Sequence, residues 1–352
     1  MQNLEQIKIV ELEISSYCNA ACPGCARTQK PGMFDLKHIT LSDIKRIFPS
    51  KKHISEKRFK LCGVLGDPIM NPEALEITEY LVENDAMMVT FSTNGGIQTE
   101  DFWAELGSLS KSTGKVWVNF CVDGHKETNH VYRVNTDFNK IMKNMKSYSL
   151  GGLGKALGQW VYIVFDHNEY EIDLARQDAK MLGLTFVIRT GMRNSLDWDW
   201  PALREWTSVT KQSGKKKITV SKNIEHSKVD KVKTLRSAVE NKKIDENIVK
   251  SVVCKHIHED EIFISSNLKL WPCCFLWDNY FKDKENCREI LTFDDPQWND
   301  LSVKSIDEIL EHDWYQTALE LSWNPNHNRH LNRCIVMCGF NKAYHNEWKR
   351  ET

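Results

Sequence analysis

Three cysteines near the start of the chain, Cys18, Cys22 and Cys25, constrain it more than any other feature. They stand in the run Ser16-Tyr17-Cys18-Asn19-Ala20-Ala21-Cys22-Pro23-Gly24-Cys25, a C-x3-C-x2-C spacing directly after the apolar segment Ile7 to Ile14. Iron–sulfur clusters are held by cysteine thiolates, and three thiolates leave one iron of a four-iron cubane open to a small molecule. A structural zinc site is the competing reading, because zinc takes four nitrogen or sulfur ligands from similar spacings. Small buried thiols without a ligand are the third, since free cysteine packs as a hydrophobe.

The remaining cysteines point the same way. The chain has 352 residues and eleven cysteines, and its first residues, Met1-Gln2-Asn3-Leu4-Glu5, lack the regions of a signal peptide. No apolar run reaches bilayer length, so no membrane partner is expected. An odd cysteine count in a long chain argues against a disulfide framework and for metal in a reducing cytoplasm. A formal net charge of −1 gives no global attraction to nucleic acid. With 41% hydrophobic residues the chain can bury a real core, as one large domain or two.

Strand-like and helix-like segments alternate up to about residue 190. Strands are expected at Ile7–Ile14, Phe59–Leu65, Met87–Ser92, Lys115–Val122, Trp160–Phe165 and Leu184–Arg189, each short and rich in β-branched or aromatic residues. Thr40 caps a helix over Leu41–Phe48, with Asp43 at the capping-box position. Asn71-Pro72 is expected to open the next helix, and Thr99 or Glu100 the one after. Asp137–Ser149 and Glu169–Leu182 complete the series, the last ending at Gly183. Six β/α units fall short of a full eight-unit barrel, so the expected fold is α/β, a partial (β/α)6 TIM-like barrel. Such barrels carry chemistry on the loops after their strands, which is where Cys18 to Cys25 lie.

The cysteine spacing, its place after a first strand and the second cysteine group downstream resemble the radical S-adenosylmethionine (radical SAM) superfamily. Gly63-Val64-Leu65-Gly66-Asp67-Pro68 resembles that family's glycine–glycine–acid–proline loop, with Asp67 where glutamate is common and Leu65 at the first glycine position. The resemblance implies SAM contacts from Gly66, Asp67 and Pro68, against a plain Gly-Asp-Pro turn. Ser92-Thr93-Asn94-Gly95-Gly96 resembles a Thr-Asn-Gly run near the family's SAM site, which implicates Ser92 and Asn94. Asn119 takes the place of a serine in a Ser-x-Asp-Gly strand end, and Arg133 follows as a candidate carboxylate fork. Arg133 bracing a loop through Asp123 or Asp137 is the alternative. Cys62 and Cys121 read as packing thiols.

The C-terminal third holds Cys254, Cys273, Cys274, Cys287, Cys334 and Cys338. This resembles the twitch extension, related to SPASM, in which a hairpin ending in Pro-Cys places one thiolate. The resemblance implies one auxiliary cluster on Cys254, Cys273, Cys334 and Cys338, with Cys274 or Cys287 as substitutes and Leu268 in place of the usual hairpin glycine. Structural zinc stays open, and His256 and His258 are candidate ligands or surface residues. The domain division is then 1–195 for the barrel, 196–250 for a Lys-rich insertion that includes Trp198, Trp200 and Trp206, and 251–352 for the auxiliary region.

The resemblance implies two [4Fe–4S] clusters, reductive cleavage of SAM to a 5′-deoxyadenosyl radical, and hydrogen abstraction from a substrate. A flavodoxin or ferredoxin type donor would supply the electron. A peptide or protein is the expected substrate, modified by net oxidation. Dehydrogenation of a small alcohol or amino sugar is the alternative, and a non-catalytic iron–sulfur or zinc scaffold is the reading from another class. The first strand begins near residue 7, so no N-terminal leader-recognition domain is expected.

Overall fold

The computed structural model describes residues 3–29, 32, 35–190, 229–277, 297–327, 330–342 and 347–350. Six strands form where short β-branched and aromatic runs stand: β1 (Ile9–Leu12), β2 (Arg58–Leu61), β3 (Met88–Thr93), β4 (Val116–Cys121), β5 (Leu157–Ile163) and β6 (Thr185–Thr190). They lie side by side in chain order, all parallel. Three further strands come from the C-terminal third. β7 (Glu261–Ile264) pairs in parallel with β1, and β8 (Leu270–Trp271) turns back antiparallel on β7. At the far edge β9 (Glu347–Arg350) runs antiparallel to β6. The order β8-β7-β1-β2-β3-β4-β5-β6-β9 ends in two edges, so the (β/α)6 frame is an open partial barrel.

The helices cover one face of this sheet. Helix α1 (Leu41–Ile47) begins with the expected capping box, in which the Thr40 hydroxyl accepts from the Asp43 N–H and Asp43 accepts in return from the Thr40 N–H. Helix α2 spans Ala74–Glu83, α3 Glu100–Thr113, α4 Phe138–Gly151 and α5 Ile172–Met181. Thr99 and Asp137 cap α3 and α4 through their side chains. Helix α2 starts two residues later than Pro72 predicts, and Asn71 both turns the chain into it and ties it to the sheet. Its amide donates at 2.7 Å to the carbonyls of both Ile14 and Ile39, and its oxygen accepts from the Glu73 N–H at 2.9 Å.

Strand alternation sorts the residues onto two faces. Val10, Leu12, Phe59, Leu61, Val89, Phe91, Val118 and Phe120 are fully buried toward the helices, against Ile44, Ile77, Trp103 and Met145 among others. Each such side chain contributes about 1.5–3 kcal/mol by leaving water. The opposite phase is polar: Glu11 stands level with Lys60, and Ser92 with Asn119 and then Gln159. Cys62 and Cys121 belong to this inner, polar phase and not to the helix-facing core.

The described residues between 229 and 342 build a layer on the β7–β8 side. Helix α6 (Val229–Glu240) and α7 (Glu246–Lys250) share a small core with α10 (Asn332–Lys342), made of Leu235, Ile248, Val252, Ile335 and Met337. Between them lie α8 (Lys255–Glu259) and α9 (Ile306–Leu310). The part of the Lys-rich stretch from 229 to 250 is therefore joined to the C-terminal layer. Lys215 to Lys217, Trp198, Trp200, Trp206 and Cys287 lie outside the described residues. Among the described residues no helix is long and apolar enough to cross a membrane.

Candidate active site and cysteine centres

The chain leaves β1 at Leu12 and crosses the C-terminal ends of the strands as the cysteine loop. Arg27 donates to the Cys18 carbonyl at 2.7 Å, and the Ala21 N–H donates to the Val134 carbonyl at 2.9 Å, which pins the loop at both ends. Cys22 is buried against Ala20, Tyr132, Ile163 and Phe165. The three thiols stand close enough to feel one another electrostatically. Donors are aimed at their sulfurs: the Ala20 N–H at 3.4 Å and the Asn94 amide at 3.7 Å from Cys18, and the Arg133 guanidinium at 3.7 Å from Cys22.

Burial, helped by the Asp67 charge, pushes the Cys18 thiol up to about 12. Burial also raises Cys22, with Arg133 pulling the other way. The bare thiols therefore keep their protons at neutral pH. A bound metal ion reverses this, because its own charge dominates the local field and deprotonates a coordinating thiol. Three thiols surrounded by hydrogen-bond donors and one guanidinium fit a cluster whose sulfurs carry negative charge.

The loops after β2 and β3 close on the cysteine loop. A Cβ at Gly66 would run into the Ser15 carbonyl, and one at Gly63 into the Gly66 carbonyl, so only glycine lets this turn lie against the backbone before Cys18. The Asp67 N–H donates to the Tyr17 carbonyl at 2.8 Å. One Asp67 carboxylate oxygen accepts from both the backbone N–H and the side-chain amide of Asn94, each at 2.8 Å, while the other caps the short 3-10 turn Pro68–Met70. The Asn94 amide also reaches Asn19 at 2.9 Å. Gly66, Asp67, Pro68 and Asn94 thus meet at Cys18, and the Asp67 carboxylate is engaged within the protein.

Ser92 and Asn119 form a second group on the inner face. Asn119 donates to Ser92 at 3.2 Å and accepts from Trp117 and Gln159, each at 2.9 Å. Arg133 pairs with the fully buried Asp123 at 2.6 Å, the bracing arrangement, and turns its second arm toward Cys22. Asp123 is fixed in turn by the Ile163 N–H at 2.8 Å.

Cys254, Cys273, Cys334 and Cys338 come together from three parts of the C-terminal layer. All four are buried at 6–8% exposure and sense one another electrostatically. Cys334 and Cys338 lie four residues apart on α10, one above the other on a single face. The Cys338 carbonyl accepts from the Val253 N–H at 2.9 Å, which brings Cys254 alongside. Cys273 follows β8, and the hairpin forms with Leu268 at a φ of +61°, the conformation glycine usually provides. Cys274 faces elsewhere, toward Glu11 and Lys255. His256 is buried at 2% exposure, with Nδ1 at 3.0 Å from the Glu261 carbonyl, so it is no surface residue. Among the described residues no three His, Cys, Asp or Glu side chains close on one point as a single ion requires. A cubane asks for something wider, one thiolate at each iron.

Two residues that matter here are missed by motif reading. Glu13, fully buried, accepts from the Leu65 N–H at 2.7 Å, from the Ser266 N–H and hydroxyl at 3.3 and 3.1 Å, and from Trp277 at 3.1 Å. It ties the loop after β2 to the C-terminal layer. Glu11 accepts the Cys62 S–H at 2.9 Å and points its other oxygen, buried and unpartnered among the described residues, into the same inner face. Acids at every second position of an otherwise apolar strand are the signal that finds both.

Residues 12–176 match the Radical SAM superfamily. Among solved structures, SuiB of Streptococcus suis bound to S-adenosylmethionine is similar at a TM-score of 0.50 and 11% identity, over 82% of this chain and 68% of that one. SuiB bound to its precursor peptide SuiA gives 0.50 and 12% over the same shares. anSMEcpe with bound AdoMet and Cp18Cys peptide gives 0.49 and 13%, over 94% of this chain and 88% of that one. A comparison with curated proteins by sequence finds no match. Residues 12–176, which include the cysteine loop after β1, are therefore similar to the radical SAM superfamily.

Proposed function

We propose that this chain is a radical SAM oxidoreductase of peptides or proteins, with one auxiliary iron–sulfur cluster in its C-terminal layer. The observation that carries the reading is the meeting of Cys18, Cys22 and Cys25 with Gly66, Asp67 and Asn94 at the C-terminal ends of β1 to β3. A [4Fe–4S] cluster on the three thiols, when bound, supplies the electron that cleaves SAM to methionine and a 5′-deoxyadenosyl radical. The protein's part is position. Gly66 lets a backbone strip approach a ligand, Ser92 and Asn119 present polar groups to a ribose, and Arg133 holds one face of the site positive. Arg133 is braced by Asp123, so its charge acts at a fixed place.

The peptide class is supported by SuiB, whose structure holds a precursor peptide on this type of fold. The four thiols of the C-terminal layer support an auxiliary cluster with no open iron, suited to accept an electron and not to bind substrate. On this reading residues 1–195 form the barrel, 196–250 an insertion, and 251–352 the auxiliary region. A flavodoxin or ferredoxin in a reducing cytoplasm is the electron donor.

The test is an anaerobic assay of reconstituted protein with dithionite and SAM, following 5′-deoxyadenosine, beside Cys22→Ala. Wild type is expected to form the nucleoside and the variant none. Zinc in place of iron at Cys18, Cys22 and Cys25 after anaerobic purification overturns the proposal.

A further inference from the structure

Two buried hydrogen-bond donors beside the C-terminal thiols have no oxygen or nitrogen partner among the described residues. The Tyr315 side chain is buried at 7% exposure, and its hydroxyl has no partner among the described residues. The titratable groups its oxygen feels are the Cys273 and Cys254 thiols. The Trp323 indole N–H is likewise buried and without an oxygen or nitrogen partner, and it lies against Cys334. Buried donors are nearly always satisfied, so an unpartnered hydroxyl near Cys273 and Cys254 and an indole N–H aimed at the Cys334 sulfur point to an acceptor at these thiols.

The backbone holds both donors in place. Tyr315 sits on a π-helical turn, Trp314–Ala318, a rare local widening that shifts the side-chain register and marks functional positions more often than chance. Its ring is wedged edge-on against His256 at 5.0 Å and Trp314 at 5.1 Å, so it has no room to swing its hydroxyl out to solvent. Trp323 follows a turn whose Ser322 carbonyl accepts from the Leu331 N–H at 2.7 Å, immediately before α10 and Cys334.

We propose that Tyr315 and Trp323 are dedicated donors to the sulfur of a cluster held by Cys254, Cys273, Cys334 and Cys338, and that they raise its reduction potential. The inference rests on the auxiliary-cluster reading above. Its physics is general. Reduction adds one negative charge to the cluster, and a fixed donor stabilises the charged, reduced form more than the oxidised one. In a buried site that preference is little screened. A higher potential makes the cluster a better acceptor for an electron left on an oxidised substrate. Tyr315 and Trp323 are positioning and tuning residues, and neither touches substrate in this account.

The test uses the full chain with Cys18, Cys22 and Cys25 replaced by alanine, so that any remaining cluster signal belongs to the C-terminal thiols. Iron and sulfide are counted, and the midpoint potential is read by EPR-monitored redox titration before and after Tyr315→Phe. Phenylalanine keeps the ring packing and removes only the hydroxyl. The expected result is an unchanged count with a midpoint moved to more negative values. Loss of one such donor is expected to change the reduced-to-oxidised ratio about tenfold at fixed potential, or 59 mV for a one-electron couple. Trp323→Phe is expected to move it in the same direction. An unchanged midpoint in both variants at full cluster loading overturns the inference. Loss of the cluster in both variants also overturns it, since the residues then serve assembly and not tuning. No iron in the parent background, with wild type holding about four, shows instead that the auxiliary-cluster reading is wrong.

Discussion

Glu13 carries two opposed effects in one side chain. Four donors favour its carboxylate, yet full burial outweighs them and lifts its pKa from the ordinary 4.5 to about 7. Between those values the folded chain holds a proton that the unfolded chain has released. Stability therefore falls as pH rises from 4.5 through 7 and is flat above, by on the order of 3 kcal/mol at full extent. Urea midpoints across this range are expected to show that fall in wild type and to lose it in Glu13→Gln. Parallel slopes would mean the carboxylate is ionised throughout. Gly66 is limited by sterics and not by charge. A methyl group there has to displace the Ser15 carbonyl or its own turn. Overpacking of this kind costs about 1–3 kcal/mol, and Gly66→Ala is expected to weaken SAM binding by equilibrium dialysis even where the chain still folds. Wild-type affinity in the variant would remove this turn from the site. The glycine was legible in the sequence, because its loop resembled a known one. Glu13 stands out only as an acid in an apolar strand, and nothing in that sequence says which distant donors will reach it.

At the scale of elements, local chemistry was readable wherever the signal was local. The six parallel strands and the Thr40 cap follow from patterns a few residues long. Thr40→Ala breaks a reciprocal pair of hydrogen bonds at the start of α1 and is expected to cost about 1 kcal/mol, seen as a lower urea midpoint with unchanged slope. A change below the scatter of the measurement would mean that packing of Ile44 and Ile47 alone fixes α1. Helix α2 begins two residues after Pro72. Asn71 does accept from the Glu73 N–H, but its amide is also held by the Ile14 and Ile39 carbonyls, a demand of tertiary structure, and regular helix begins only at Ala74. Strand β7 was hidden for a related reason. Its partner β1 lies some 250 residues earlier, and parallel pairing over such a distance leaves no local mark.

At the scale of the molecule, the two cysteine centres sit on opposite sides of one joint. β7 adds to the free edge of β1, so the strand that leads into Cys18 is also the strand on which the C-terminal layer is hung. Glu13 repeats the connection through side chains, reaching Ser266 and Trp277 on that layer. The core that α6, α7 and α10 share is small, with Leu235, Ile248, Val252, Ile335 and Met337 as its main members, whereas Trp271, Trp298, Ile309 and Trp314 of the same layer pack into the main core. On the auxiliary-cluster proposal, four buried thiols beside so slight a core would make metal a large part of the folding free energy of these helices, because ligands assembled only in the folded state turn binding energy into stability. On that proposal Cys254→Ala is expected to remove about four irons per chain and to loosen α6, α7 and α10 together. Hydrogen exchange followed by mass spectrometry reads this directly. Protection is expected to drop in α6, α7 and α10 of the variant and in the metal-free wild type, while β2 to β5 keep theirs. Equal protection of α10 with and without iron would show that this layer stands on its apolar contacts alone, and that its cysteines are there for chemistry and not for the fold.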